Sequence, residues 1–505
     1  MKLSLIAVPA LAGAVMVTGN VAFAQEEGEE QTQHKFLEPK PGKPVTFFTP
    51  GGEITLYGNL DISFDVMTKG ISNLTAPGTG EVTPAGSVGW MPDISTNLAY
   101  VGVRGFQRLG GGFQFLYQLE TQIDIAASSG LSESSSNKSD VVKGGLTSRN
   151  TFLGFSTPFG AIKVGKTDAP YKTSTARFNP FSGMIGDYQV VMGNTGGDNR
   201  VEFGTRLDHS IWYESPQVYG VNFAALYSPG QNRADDSGDL PAGEADCTGG
   251  NIPGSGGTGA APFPISCNDG GFSDAMSFSL NGAWGPLYVT GAYERHQKVN
   301  RNSDLYGIIG AFPLPAPYVG WDSADVAAED AWKVGAMFTF PTETTVGGIF
   351  EDFHRYVPAY LAFQNERQRT GFWFVVSQNL TAQDSLHLGW AHANRTPGDP
   401  GQHNTSINVD PGSGLTAGGL NANNQADMFT VAVKHGVGHD ITLYATWAWT
   451  INQQYAHYDL GAGGRSVTTD CHDGGLPASG DVNSNPHCWA GGRLMGFSVG
   501  VNKKF

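Results

Sequence analysis

From Ile54 onward apolar and polar residues alternate: Ile54, Leu56, Gly58, Leu60, Ile62, Phe64 and Val66 fall on one side, Thr55, Tyr57, Asn59, Asp61, Ser63 and Asp65 on the other. Only β geometry sends successive side chains to opposite faces, so the spacing predicts a long strand with one apolar and one polar flank. The pattern recurs at the far end, where Met495, Phe497, Val499, Val501, Lys503 and Phe505 oppose Gly496, Ser498, Gly500, Asn502 and Lys504. The clearest hairpin joins Leu98–Leu109 to Phe113–Ile125 through three glycines, Gly110 to Gly112. In its second strand Phe113, Phe115, Tyr117 and Leu119 share a face against Gln114, Gln118, Glu120, Gln122 and Asp124. A face that carries carboxylates is costly in a dry core and harmless beside water.

Further strands are predicted at Arg149–Thr157, Ala161–Thr167, Arg206–Ser215, Val221–Tyr227, Ala275–Trp284, Leu287–Lys298, Ala331–Phe340, Thr344–Tyr356, Arg369–Asn379, Ser385–Asn394, Gln425–Lys434, Asp440–Asn452 and Arg493–Phe505, sixteen in all. Their connections alternate between tight turns and long, Gly-rich, acidic stretches. That rhythm and an even strand count predict an all-β fold, a 16-stranded antiparallel transmembrane β-barrel with short periplasmic turns and long extracellular loops. Closure removes the sheet edges that hydrocarbon does not tolerate, and about sixteen strands leave an aqueous bore where about eight would be filled by side chains.

The residues ahead of the first strand set the compartment. Lys2, the apolar run Leu3 to Val17 and the small-residue site Ala22-Phe23-Ala24 read as a signal peptide over residues 1–24. Residues 25–52, acidic and then proline-rich, are expected to form an extended periplasmic arm, with the barrel at 53–505. No later stretch approaches the roughly 18 to 20 apolar residues of a membrane helix. The 70 glycines and low charged fraction suit strands and tight turns, and the net charge of −16 argues against a nucleic-acid partner.

Cys247 with Cys267 and Cys471 with Cys488 lie in two sequence-local pairs, expected as loop disulfides in an exported chain. His472 and His487 beside the second pair make Cys-His doublets; a zinc site would need ligands spaced by two to four residues, and doublets are not so spaced.

Several runs resemble the Gram-negative general porins, most closely the betaproteobacterial-type trimeric ones: Ile54–Asp61, Val101–Gly112, Phe115–Glu120, Ser148–Lys166, His209–Pro216 and the terminal Gly496–Phe505. The resemblance implies a third loop, Asp168 to Asn199, folded into the barrel, with its tip at Asn179–Gly183 followed by Asp187. It places Arg149 and Arg206 as wall arginines of the constriction, Tyr100 where many relatives carry another arginine, and Asn59 where some carry a lysine. Arg104, Asp61, Glu120 and Asp124 complete the expected lumenal set, and the acidic members imply a mild cation preference. It further implies passive diffusion of ions and small hydrophilic solutes, a homotrimer set among outer-membrane lipids, and Phe505 as an element read by the outer-membrane assembly machinery. No cofactor is implied. The rival readings are a substrate-selective channel whose enlarged loops before Ala275 and Arg493 build a vestibule, and a surface adhesion barrel.

Other motifs carry less. Residues 254–259 match a dinucleotide fingerprint by letters but no helical pattern follows them. His435 and His439 are expected in a glycine-flanked turn, and His387 and His392 on opposite strand faces. Ser210 beside His209 is the nearest approach to a hydrolase pair, and strand neighbours face apart. Trp90, Trp284, Trp321, Trp332, Trp447 and Trp449 are expected in a lipid-interface belt.

Overall fold

The computed structural model describes residues 44–71, 74–75, 82–83, 90–126, 149–193, 203–229, 274–299, 327–356, 368–395, 409–410, 414–415, 425–453, 458, 460–461 and 492–505. The signal region, most of the expected arm, all four cysteines, Trp321 and the segment 254–259 lie outside them.

A short strand β1 (Val45–Thr49) precedes the wall strands β2 (Gly52–Ile71), β3 (Met91–Thr96), β4 (Tyr100–Gly110), β5 (Phe113–Gln122), β6 (Thr151–Thr157), β7 (Gly160–Asp168), β8 (Arg206–Glu214) and β9 (Val221–Pro229). The wall continues through β10 (Asp274–Trp284), β11 (Leu287–Val299), β12 (Ala327–Thr339), β13 (Thr344–Arg355), β14 (Arg369–Asn379), β15 (Asp384–Ala393), β16 (Ala426–Val437), β17 (Ile441–Asn452) and β18 (Gly492–Lys504). Because β3 and β4 both pair with β2, they are two pieces of one interrupted wall strand, and the wall counts sixteen, as the alternation predicts. Every neighbouring pair is antiparallel, and β2 with β18 closes the ring through Asn59↔Lys504 to Ile71↔Gly492.

The tight turns gather at one end. The hairpin β4–β5 turns on Gly110, Gly111 and Gly112 at φ +91°, +62° and +83°, left-handed conformations that a Cβ disfavours, which is why three glycines stand there. At the same end β1 pairs with β2 from Val45↔Leu56 to Thr49↔Gly52, so part of the stretch expected as an extended arm is a strand. His435, expected in a turn, ends up within β16 bonded to Asp384 at 2.7 Å, while His439 sits in the turn that follows.

The two faces of the wall differ as the sequence alternation requires. Leu56, Phe64, Leu153, Phe155, Val499 and Phe497 are exposed on the outer face, while Thr55, Tyr57, Asn59, Asp61, Ser63 and Asp65 are buried toward the interior. Outward rings form a run in which Phe374, Trp390, Phe429, Trp449 and Trp447 touch in succession at 5.9 to 6.3 Å between centroids, with Trp90 against Phe497 at 5.8 Å. Amphipathic rings on a lipid-facing surface favour the interface; of the tryptophans expected there this run holds Trp90, Trp447 and Trp449, with Trp390 added, while Trp332 meets Phe350 and Trp284 bonds Tyr219 O apart from it.

The largest buried apolar cluster is not between wall strands but between the wall and the third loop. Phe178, Phe181, Tyr188, Val191 and Met192 from the loop pack on Ile349, Trp373, Val375, Ala391 and Met428 of β13 to β16. The apolar side chains of a loop that enters a watery lumen need such a surface, and inward Trp373 and Met428 are where the polar inner face gives way to supply it.

Candidate functional site: the charged arc opposite the third loop

After Asp168 the chain turns inward through α1 (Pro170–Ser174), a 3-10 turn (Ala176–Phe178) and α2 (Gln189–Met192). Pro170 suits the first helical position because its missing N–H would be unpaired there. Wall side chains hold the loop by its backbone: the Trp373 indole N–H donates to Phe178 O at 2.8 Å, Arg369 donates to Val191 O and Met192 O at 2.8 Å each, and Thr430 donates to Gly186 O at 2.9 Å. Lys434 donates to Pro180 O at 2.5 Å. Gly186, at φ +79°, lies close against the wall, where a Cβ would stand 2.4 Å from Thr430.

Asp187, expected to face the constriction, turns into the loop instead. Its carboxylate accepts from Asn179 Nδ2 at 2.8 Å, Gly183 N at 3.0 Å and Gln189 N at 3.1 Å, fastening the tip to the start of α2. Burial pushes its carboxyl above the ordinary carboxylate range, against the downward pull of these donors. Asp187→Ala is expected to lower unfolding stability in detergent by about 1 to 3 kcal/mol, the cost of leaving buried donors unmatched, while ion selectivity stays put; urea melts and reversal potentials measure the two effects.

The remaining expected residues, Asp124 excepted, lie on adjoining strands of the wall. Arg104 lies 4.9 Å over the Tyr57 ring, the Tyr57 hydroxyl donates to Glu120 at 2.9 Å, and Glu120 accepts from Arg149 at 2.6 Å. Arg149 in turn covers the Tyr100 ring at 4.5 Å, so Tyr100 seats an arginine rather than replacing one. Next to it Asp168 binds Arg206 at 3.0 Å and Lys172 at 2.9 Å, and Asn150 bridges them by accepting from Arg206 at 2.7 Å and donating to Asp168 at 3.0 Å.

The other flank centres on Asp61, which accepts from Tyr444 at 2.6 Å, Asn502 at 2.8 Å and Asn97 at 3.3 Å. Asn59 accepts from Asn502 at 2.8 Å, so both polar residues of β2 stitch the closing seam to β18. Lys434 and Lys504 stand within electrostatic reach of each other and of Asp61. Asp124 is set apart from this arc, accepting from Thr96 at 2.6 Å at the loop end of β5.

Among the described residues the contacts just given join six cations, Lys434, Lys504, Arg104, Arg149 and Arg206 on the wall and Lys172 on α1, with three carboxylates, Asp61, Glu120 and Asp168; the strands from β16 round to β8 also carry the Lys163–Glu214 pair and the carboxylates of Asp65 and Asp93. Within that network the balance runs opposite to the mild cation preference expected from the sequence, because the acids meant to carry it are paired, hydrogen-bonded or inside the loop. Lys504 was legible as a member of the polar face of the last strand; Lys172 and Lys434 carried no such mark.

Ser210 lies at a bulge where His209 takes φ +51°, and its hydroxyl donates to the Leu207 and Asp208 carbonyls at 3.1 Å each. That leaves the hydroxyl bonded to backbone.

A closed sixteen-stranded barrel, apolar outside, charged inside and narrowed by a loop anchored across it, defines an outer-membrane channel. A family model of the Gram-negative porins matches residues 10–455, and the chain belongs to that family. No curated protein sequence matches it. Among solved structures it is similar to the anion-selective porin from Comamonas acidovorans, at 16% identity and TM-score 0.54 over 90% of this chain and 100% of that one. It also matches OmpF from Salmonella typhi in complex with daunomycin (11%, 0.49, 91% and 100%) and the outer-membrane channel DcaP of Acinetobacter baumannii (11%, 0.49, 90% and 98%). The protein is a porin of the outer membrane, a channel for diffusion.

Proposed function

We propose that the channel passes ions and small hydrophilic solutes down their gradients with a preference for anions, set by Arg104, Arg149, Arg206, Lys434 and Lys504 on the wall and Lys172 on α1 of the third loop. The observation that carries this reading is the excess of cations over carboxylates in the contact network beside the third loop. In a lumen with low-dielectric walls such an imbalance raises the local concentration of the opposite ion and lowers that of its own sign. The anchored loop supplies the narrowing that makes the wall charges felt by a passing solute.

The tight-turn end, with β1 and Phe505, is read as periplasmic and the long-loop end as extracellular. Family resemblance supports a homotrimer, recognition of Phe505 during assembly and removal of residues 1–24. The cysteine pairs are proposed as loop disulfides in the same exported setting.

Reconstituted protein in a planar bilayer under a tenfold KCl gradient is expected to give a reversal potential of the sign for chloride preference. A potential of the opposite sign overturns the reading. Uptake by swelling liposomes should fall smoothly with sugar size; saturation by one sugar would favour a selective channel.

A further inference from the structure

We propose that Arg177, carried on the third loop, makes the channel favour small oxyanions, carboxylates and phosphates, over halide. The inference rests on the anion preference proposed above and adds to it the chemistry of the anion. Arg177 sits in the 3-10 turn Ala176–Phe178, exposed, beside Phe178, which is wholly buried against the wall. Its guanidinium carbon lies 4.6 Å from the centre of the Tyr288 ring on β11. That ring is pinned, since its hydroxyl donates to Ser174 O at 2.8 Å and the Phe178 ring meets it at 5.9 Å.

Its lack of a carboxylate partner sets this guanidinium apart from its neighbours. Arg149, Arg206 and Lys172 each hold a carboxylate at 2.6 to 3.0 Å, so much of their charge is answered within the protein. Among the described residues Arg177 has neither an ion pair nor a hydrogen bond. A tyrosine beneath a guanidinium fixes its aim without cancelling its charge.

Stacking engages the face of the group only. The N–H donors lie in its plane and stay open to water or to a passing solute. Parallel donors of that fork match the paired oxygens of a carboxylate or phosphate, whereas a halide offers a single centre and gains nothing from the fork's planarity. The same build recurs at Arg104, exposed on β4 and 4.9 Å over Tyr57, on nearly the opposite side of the sixteen-stranded ring. Loop and wall thus each offer an oxyanion an uncommitted fork.

Planar-bilayer conductance at low, constant ionic strength and neutral pH, with part of the chloride replaced by inorganic phosphate, tests the assignment. Wild type is expected to lose more current than the missing chloride accounts for, saturably with phosphate, and to show no such excess with bromide. Arg177→Gln should weaken the phosphate effect about threefold or more. Arg177→Lys keeps the charge without the fork, so it should hold the wild-type reversal potential in KCl and still lose the phosphate effect. Circular dichroism and the current in KCl alone report that each variant is folded with its loop in place. No excess loss in wild type, or an equal loss in Arg177→Gln, overturns the proposal. An effect kept in full by Arg177→Lys overturns it too, because charge alone would then act. A wild-type potential of cation sign in KCl would remove the anion preference beneath the proposal; that result is read before any phosphate is added, and so is distinct from failure of the fork.

Discussion

Exchanging Arg149 and Arg206 together for glutamine is expected to weaken the anion preference strongly and move the reversal potential toward zero. Each arginine neutralises a carboxylate at contact distance, Glu120 at 2.6 Å and Asp168 at 3.0 Å. The double substitution takes the arc from six cations to four while three carboxylates remain, and it leaves Glu120 with no guanidinium against it. Glutamine keeps a donor for the carboxylate, so the wall geometry is retained while the charge is lost. The effect should depend on salt: with a Debye length of about 10 Å at 0.1 M and about 3 Å at 1 M, the difference between variant and wild type should shrink as the solution is concentrated. Reversal potentials at two ionic strengths measure both. A potential equal to wild type at low salt would mean that the arc does not face the permeating ion.

Trp373→Ala is expected to release the third loop. Trp373 is wholly buried, stacks on Tyr188 at 5.1 Å, meets the Phe181 ring edge-on at 5.9 Å and donates to Phe178 O. The ring lies over Gly389 of the neighbouring strand, where a Cβ would stand 2.0 Å from it, so glycine there is the seat that lets the indole lie flat. Truncating a buried tryptophan costs about 3 to 5 kcal/mol in a core. Here the cost falls mainly on loop docking rather than on the wall, whose ladders do not pass through this side chain. Single-channel recordings are expected to show larger and noisier conductance, and limited proteolysis to cut within 179–187, while the barrel persists by circular dichroism. Unchanged conductance with a loop still resistant to protease would show that the remaining anchors, Arg369, Thr430 and Lys434, suffice.

The wall was legible because its cause is local. Each strand must place every second residue against lipid, and that constraint is written residue by residue, from Ile54 to Phe505; the third loop was reachable only through resemblance. The arc was half legible, for Arg149, Arg206, Glu120 and Arg104 sit on strands or strand ends whose faces the alternation fixes. Asp187 misled because a loop has no periodicity to tell inward from outward, and its carboxylate was spent on backbone donors of its own loop. Trp373 and Met428 were hidden for the converse reason: apolar residues on the inner face look like errors in the pattern until something apolar is known to land on them. The stacking of arginines on Tyr57 and Tyr100 depends on neighbours across strands and has no trace in the spacing along one.

The pairing at the turn end carries a last consequence. Phe505 exchanges both backbone hydrogen bonds with Gly58, at 3.0 and 3.1 Å, and β1 begins on the same edge two residues further on, at Leu56. The last residue and β1 thus share a single rail, laid end to end with almost no gap. A peptide tag appended after Phe505 would run into the track that Val45 to Thr49 already occupies, so labelling or immobilising this molecule is best done from its loops.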